Sequence, residues 1–268
     1  MSLNNIKNQP IGIFDSGIGG LTVLREVEKL MPNENIVYFG DTARVPYGNK
    51  SKLTVKKFSV ENILFLLEEK VKIVVVACNT SSALALDYLN NIFRIPIIGV
   101  IEAGVDKALA VTSGKIGVIG TKATIESRAY QENITRKNKE IKIFSKSCPL
   151  FVPLIEEGLM SGEIASRVVQ MYLDDFKKKK IDTIILGCTH YPLLKKEIAK
   201  YLQRVDIVDS AFEVATHTKR VLEHFRLTND KKTKGKRKFC ITDEPKNFTK
   251  FAKLFLKRVI PEPKIINV

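Results

Sequence analysis

The sequence predicts an α/β fold made of two parallel-sheet units. Three observations carry this prediction. Short β-branched runs alternate with longer amphipathic segments. Those runs are almost continuously apolar, as in strands covered on both faces. The alternation also stops and starts again, which gives two successive βα series. A chain of 268 residues has room for two such units.

In the first series, Ile11–Phe14, Ile36–Phe39, Ile73–Ala77 and Ile97–Val100 read as strands. Leu21–Leu30, Leu53–Lys70 and Ser82–Phe93 read as the helices between them. In the helix over 53–70, Leu53, Phe58, Ile63, Leu66 and Leu67 fall near one face, with Lys56, Lys57, Glu61 and Glu68 supplying charge. The second series has strands at Lys115–Gly120, Ile141–Ser145, Thr183–Leu186 and Asp206–Val208. Its helices are Ile125–Arg136, Gly162–Lys178 and Leu193–Leu202. A helix at Phe212–Phe225, a strand at Lys238–Thr242, a helix at Phe248–Val259 and a strand at Lys264–Val268 remain. These are too few to stand alone, so they are expected to pack on one of the two sheets.

Composition narrows the class. Hydrophobic residues at 44% and charged residues at 27% exclude a disordered or fibrous chain. No run approaches the length of a membrane span, and the polar stretch Met1–Gln9 lacks the core of a signal peptide. The net charge of +15 raises the possibility of a nucleic-acid partner. Its distribution argues against one. Residues 1–98 carry +2, residues 99–209 carry +4, and residues 210–268, with 15 basic against 6 acidic side chains, carry +9. The run Asn229–Lys238 has no apolar residue and reads as a solvated loop, and Lys177–Lys180 closes a helix, where cations suit the dipole. The cysteines Cys78, Cys148, Cys188 and Cys240 form no close pair, which fits a reducing compartment.

Two of those cysteines stand out. Ile73–Thr80 reads IVVVACNT and Ile184–Thr189 reads IILGCT. Each is a buried-type strand ending in Cys with Thr close behind, and function collects beyond the carboxyl ends of strands in open α/β sheets. Helix starts are expected from Ser81 and Pro192, and helix N-termini stabilise thiolates and bind carboxylates. Three roles compete for the pair. Cys188 with His190 could form a nucleophile–base couple. Cys78, Cys188 and His190 could hold zinc, although without the close spacing typical of such sites. The two thiols could also act as acid and base across one substrate carbon, which explains why similar motifs recur in separate units.

Two loops complete the set. Ile11–Gly20, IGIFDSGIGG, resembles a dinucleotide loop, but Thr22 stands where the third glycine belongs and Asp15 would face a pyrophosphate. Asp15 and Ser16 read better as facing the same cleft as Cys78, where a carboxylate can hold an ammonium group or tune a thiol. Asp41–Gly48, DTARVPYG, is a loop shaped by Pro46 and Gly48, with the Tyr47 hydroxyl and the Gly48 amide available to a carboxylate.

Taken together, FDSGIGGL (Phe14–Leu21), DTARVPYG (Asp41–Gly48), ACNTSSA (Ala77–Ala83), PIIGVIEAG (Pro96–Gly104), VPLIEEG (Val152–Gly158) and GCTHYPLL (Gly187–Leu194) resemble the glutamate racemases of the cofactor-independent aspartate/glutamate racemase superfamily. The resemblance covers essentially the whole chain. It implies two α/β domains related by a pseudo-twofold axis with the active site in the cleft between them. Residues 1–98 plus 210–268 would form the first domain and residues 99–209 the second. It implies an isomerase that interconverts L- and D-glutamate without cofactor or metal, supplies D-glutamate for peptidoglycan synthesis, and works as a cytoplasmic homodimer. Carried over by motif, Cys78 and Cys188 are the catalytic thiols, assisted by Asp15, His190 and Glu156. Asp15, Ser16, Tyr47, Gly48, Asn79, Thr80, Thr189 and His190 bind substrate. Cys148 and Cys240 match no motif and read as structural, as do His217 and His224 on one helix face. The alternatives are an aspartate racemase or other sister enzyme and, more distantly, a basic nucleic-acid-binding protein.

Overall fold

A computed structural model describes residues 3–267. Met1, Ser2 and Val268, at the ends of the expected polar leader and last strand, lie outside the described residues. In chain order the elements are α1 (Leu3–Lys7), β1 (Ile11–Asp15), α2 (Leu21–Leu30), β2 (Ile36–Gly40), α3 (Lys52–Glu68), β3 (Ile73–Val76), α4 (Asn79–Leu84), α5 (Leu86–Ile92), β4 (Ile97–Gly99), α6 (Val100–Val111), β5 (Lys115–Gly120), α7 (Lys122–Glu126), α8 (Ala129–Lys137), β6 (Lys142–Ser147), α9 (Phe151–Glu156), α10 (Glu163–Lys179), β7 (Thr183–Gly187), α11 (Lys195–Leu202), β8 (Asp206–Asp209), α12 (Ser210–His224), β9 (Arg237–Ile241), α13 (Pro245–Leu256) and β10 (Lys264–Ile265).

The strands form two sheets, one of six strands ordered β10-β9-β2-β1-β3-β4 and one of four ordered β6-β5-β7-β8. Every pairing is parallel. Side chains alternate across each strand, so each sheet buries two faces. On the larger sheet, Ile11, Ile13, Tyr38, Ile73 and Val75 pack with α2, α12 and α13. Phe14, Phe39, Val74 and Val76 pack on the other side with Ile63 and Leu66 of α3 and Leu89 of α5. On the smaller sheet, Ile184 and Leu186 meet α9, α10 and α11, while Ile116, Val118 and Ile185 meet α6 and α8. The mixed α/β fold with parallel sheets is therefore as expected, and the last strands, β9 and β10, join the first sheet.

Several local expectations need correction. Residues 100–111 form a full helix, α6, where only the end of a strand is expected. Its interior Gly104 and apolar first half weaken the helical pattern. The helix expected over 82–93 starts earlier, at Asn79, and breaks at Ala85 into α4 and α5. Leu53 and Leu67 of α3 are exposed, and the buried face instead carries Val55, Ser59, Asn62, Ile63 and Leu66. Polar residues belong on that face because Asn62 bonds Tyr47 and Arg44. The basic run is solvated only in its middle. Asn229 is buried and binds Glu34 through its amide N–H, and Arg237 enters β9 against Glu28.

Candidate active site

Parallel strands present their carboxyl ends to one edge of a sheet, and the loops leaving those ends build the site. β1 delivers Asp15 and Ser16, β3 delivers Cys78, and β7 delivers Cys188, Thr189 and His190. The loop after β2 delivers Tyr47 and Gly48 on a short 3₁₀ turn, Tyr47–Asn49. These loops from both sheets enclose one cavity lined by Ser16, Tyr47, Gly48, Cys78, Asn79, Thr80, Cys188, Thr189 and His190. Nine of the eleven expected site residues thus converge. Asp15 and Glu156 sit behind this lining. Asp15 accepts from the Thr189 hydroxyl at 3.3 Å and from the Gly17 N–H at 3.0 Å. Glu156 reaches His190 Nε2 at 3.2 Å.

The cavity is small and partly open to solvent. About 30 Å³ is open to the centre of a water molecule, space for one or two waters. Gly19 is a condition of the close packing around it. A Cβ there would lie 2.2 Å from Thr189 Oγ1 and 2.6 Å from His190 Nδ1. Gly48 serves the same end, since a Cβ would lie 2.6 Å from Thr121 Cβ.

The two thiols have different surroundings. Cys78 caps α4, its sulfur accepting from the Ser81 N–H at 3.5 Å, and it lies 3.6 Å from the Ser16 hydroxyl. Burial, and then the Asp15 carboxylate, push this thiol up to about 11, against the opposing pull of the Ser81 and Ser16 hydrogen bonds. Cys188 instead has His190 Nδ1 at 3.9 Å. Burial alone would lower His190, but hydrogen bonds with Cys188 and Glu156 and the charges of Cys188 and Asp15 outweigh it and raise the imidazole to about 10. Asp15 is itself raised, chiefly by burial, with His190 and the Gly20, Gly17 and Thr189 hydrogen bonds opposing. One thiol is therefore set beside a carboxylate and the other beside a cation.

The remaining polar groups are held by neighbours. Thr80 Oγ1 lies 3.0 Å from Thr121 Oγ1 and 3.2 Å from Thr124 Oγ1. The Tyr47 hydroxyl donates to Asp41 and accepts from Asn62 Nδ2 at 3.1 Å, so its one proton is committed. Val45, Pro46, Thr121 and Val152 also line the cavity, beyond the residues expected to bind substrate. Thr121 had a legible signal: it ends a strand and caps α7 in the pattern T-x-x-T. Among the described residues no group of three His, Cys, Asp or Glu side chains could hold a metal ion. Cys148 and Cys240 are buried and do not line the cavity.

Comparison with known proteins places the chain in a family. The model of the Asp/Glu/Hydantoin racemase family matches residues 20–218. A glutamate racemase from a Sulfurihydrogenibium species is 49% identical over 249 residues, 92% of this chain and 94% of that protein. Among solved structures, glutamate racemase from Francisella tularensis in complex with D-glutamate aligns with a TM-score of 0.92 at 42% identity, covering 97% of this chain and 98% of that one. Glutamate racemase from Bacillus anthracis aligns with a TM-score of 0.94 at 38% identity, covering 98% of each chain.

Proposed function

Since this chain belongs to the Asp/Glu/Hydantoin racemase family, and is thereby an isomerase, we propose that it interconverts L- and D-glutamate by two-base proton transfer between Cys78 and Cys188. The observation that carries this reading is the convergence of both thiols, each from a strand end of a different sheet, on one small cavity. An α-proton beside a carboxylate is a very weak acid. The enzyme must stabilise carbanionic charge as the C–H bond breaks, and hydrogen-bond donors in a water-poor cleft are the means available here.

In the proposed reaction one thiolate takes the α-proton and the opposite thiol returns a proton to the other face of the same carbon. The reactants carry one thiolate and one thiol, and so do the products, with the roles exchanged. In each direction one thiol must be ionised while the other is protonated. Thiolate is the working form of Cys188, beside the His190 imidazolium, for one direction. Cys78, beside Asp15, holds its proton until the carbanion forms. The α-carboxylate is taken by Asn79, Thr80 and Thr189, and the side-chain carboxylate by the Gly48 N–H, since the Tyr47 proton already goes to Asp41. Ser16 and Asp15 take the ammonium side, and Glu156 steadies His190.

In this reading residues 1–98 with 210–268 and residues 99–209 are two domains related by a pseudo-twofold axis. Their relative motion admits substrate. The enzyme works as a homodimer in the cytoplasm, and its D-glutamate enters peptidoglycan synthesis. The test is racemisation of L-glutamate by dialysed, chelator-treated protein, followed by loss of ellipticity, with L-aspartate in parallel. Glutamate is expected to racemise and aspartate to react at least about tenfold more slowly, because one methylene is worth roughly 1–3 kcal/mol in a fitted pocket. Aspartate turning over faster would favour the sister enzyme.

A further inference from the structure

Asn79 holds an asymmetric position in the cavity. Its side chain is 2% exposed and lines the space beside Cys78. Its Oδ1 accepts a hydrogen bond from the Tyr130 hydroxyl at 2.6 Å, while its Nδ2 has no hydrogen-bond partner in the protein. A buried amide N–H₂ left unpaired is costly, and one that lines a cavity points to an acceptor bound there.

Tyr130 is built to stay where it is. It is fully buried on α8, in the cluster formed by Ile101, Val105, Ile185 and Val208. Its ring passes so close to Gly187, the residue before Cys188, that a Cβ there would lie 3.1 Å from Cε2. α8 packs with the four-stranded sheet, whereas Asn79 opens α4 at the edge of the six-stranded one. The hydroxyl therefore crosses from one sheet's unit to the other.

We propose that Tyr130 is a positioning residue for the reaction. By donating its one proton to Asn79 Oδ1, it fixes the amide so that Nδ2, rather than Oδ1, faces the α-carboxylate of the substrate. This rests on the reading of the cavity as a glutamate site. A free amide can turn over about its last torsion, and the turned form presents an oxygen to an anion. Tyr130 removes that form. Because the two residues belong to different units, the donor edge is set only when those units are together.

The test is a double-mutant cycle on the full chain, using wild type, Tyr130→Phe, Asn79→Ala and the double variant. The readouts are kcat/KM for L-glutamate, the Kd of D-glutamate by calorimetry, and the melting temperature. Tyr130→Phe is expected to lower kcat/KM and weaken binding about tenfold, mainly through KM. In the Asn79→Ala background the same change is expected to alter both by less than about twofold. If Tyr130 only supports packing, Tyr130→Phe will cost the same factor in both backgrounds, and that result overturns the proposal. Unchanged kcat/KM and Kd in the single variant also overturn it. The binding measurement decides the cycle if turnover by Asn79→Ala is too slow to follow. If wild type neither binds nor racemises glutamate, the functional reading fails and the positioning role falls with it. Wild-type activity with a flat cycle rejects the positioning role alone.

Discussion

At the residue scale, the site is defined by the different partners of two similar thiols. Cys78 is raised by burial and by Asp15, whereas Cys188 stands beside an imidazole that holds its proton to about pH 10. The His190 shift gives a stability signature. Its folded value lies above the ordinary imidazole value of 6.5, so the folded state binds the proton more tightly. That contribution is fully present below pH 6.5 and is lost as pH rises towards 10. The stability deficit of His190→Gln against wild type, from chemical denaturation at a series of pH values, should therefore be largest at pH 6 and shrink steadily towards pH 10. A deficit that grows with pH would reverse the assignment. These residues were legible because each sits in a short motif beside a strand end. Tyr130 was not legible, because its partner Asn79 lies far away in sequence and only the fold brings the two together.

At the element scale, the glycine-rich turn between β1 and α2 is a close-packing device. Its spacing fails the dinucleotide pattern, and the structure shows what the glycine at 19 does: it lets Thr189 and His190 lie against it. Gly19→Ala should force that loop aside at a cost of roughly 1–3 kcal/mol, the usual range for overpacking. The activity loss should be larger in proportion, about 100-fold or more in kcat/KM, because displacing catalytic groups by an ångström costs rate steeply. A melting curve and steady-state kinetics on the same preparation check both. Near-normal kinetics would mean that the β1 and β7 loops need not touch. The central strands β3 and β7 were readable because strands buried on both faces are almost wholly apolar. Two helices were harder for identifiable reasons. α6 carries a glycine in its interior, and α3 buries Asn62 and Ser59 while exposing Leu53 and Leu67, so its hydrophobic pattern misplaces the inner face.

At the scale of the whole molecule, two parallel sheets direct the ends of β1, β3 and β7 at one small cavity. The large positive charge lies mostly outside this machinery. The exposed lysines at 231, 232, 234 and 236 sit in the stretch before β9, and none of them lines the cavity. Among the described residues no helix is long and apolar enough to cross a membrane. The proposed mechanism requires the two thiols to act as a pair, and the most direct test is polarimetric. Racemisation would be followed from L-glutamate and from D-glutamate with wild type, Cys78→Ala and Cys188→Ala, each verified as folded. The prediction is measurable turnover of both enantiomers by wild type and loss of at least about 1,000-fold in both directions for each variant, consistent with the scale of acid/base assistance. Normal turnover by either variant would contradict the two-thiol mechanism.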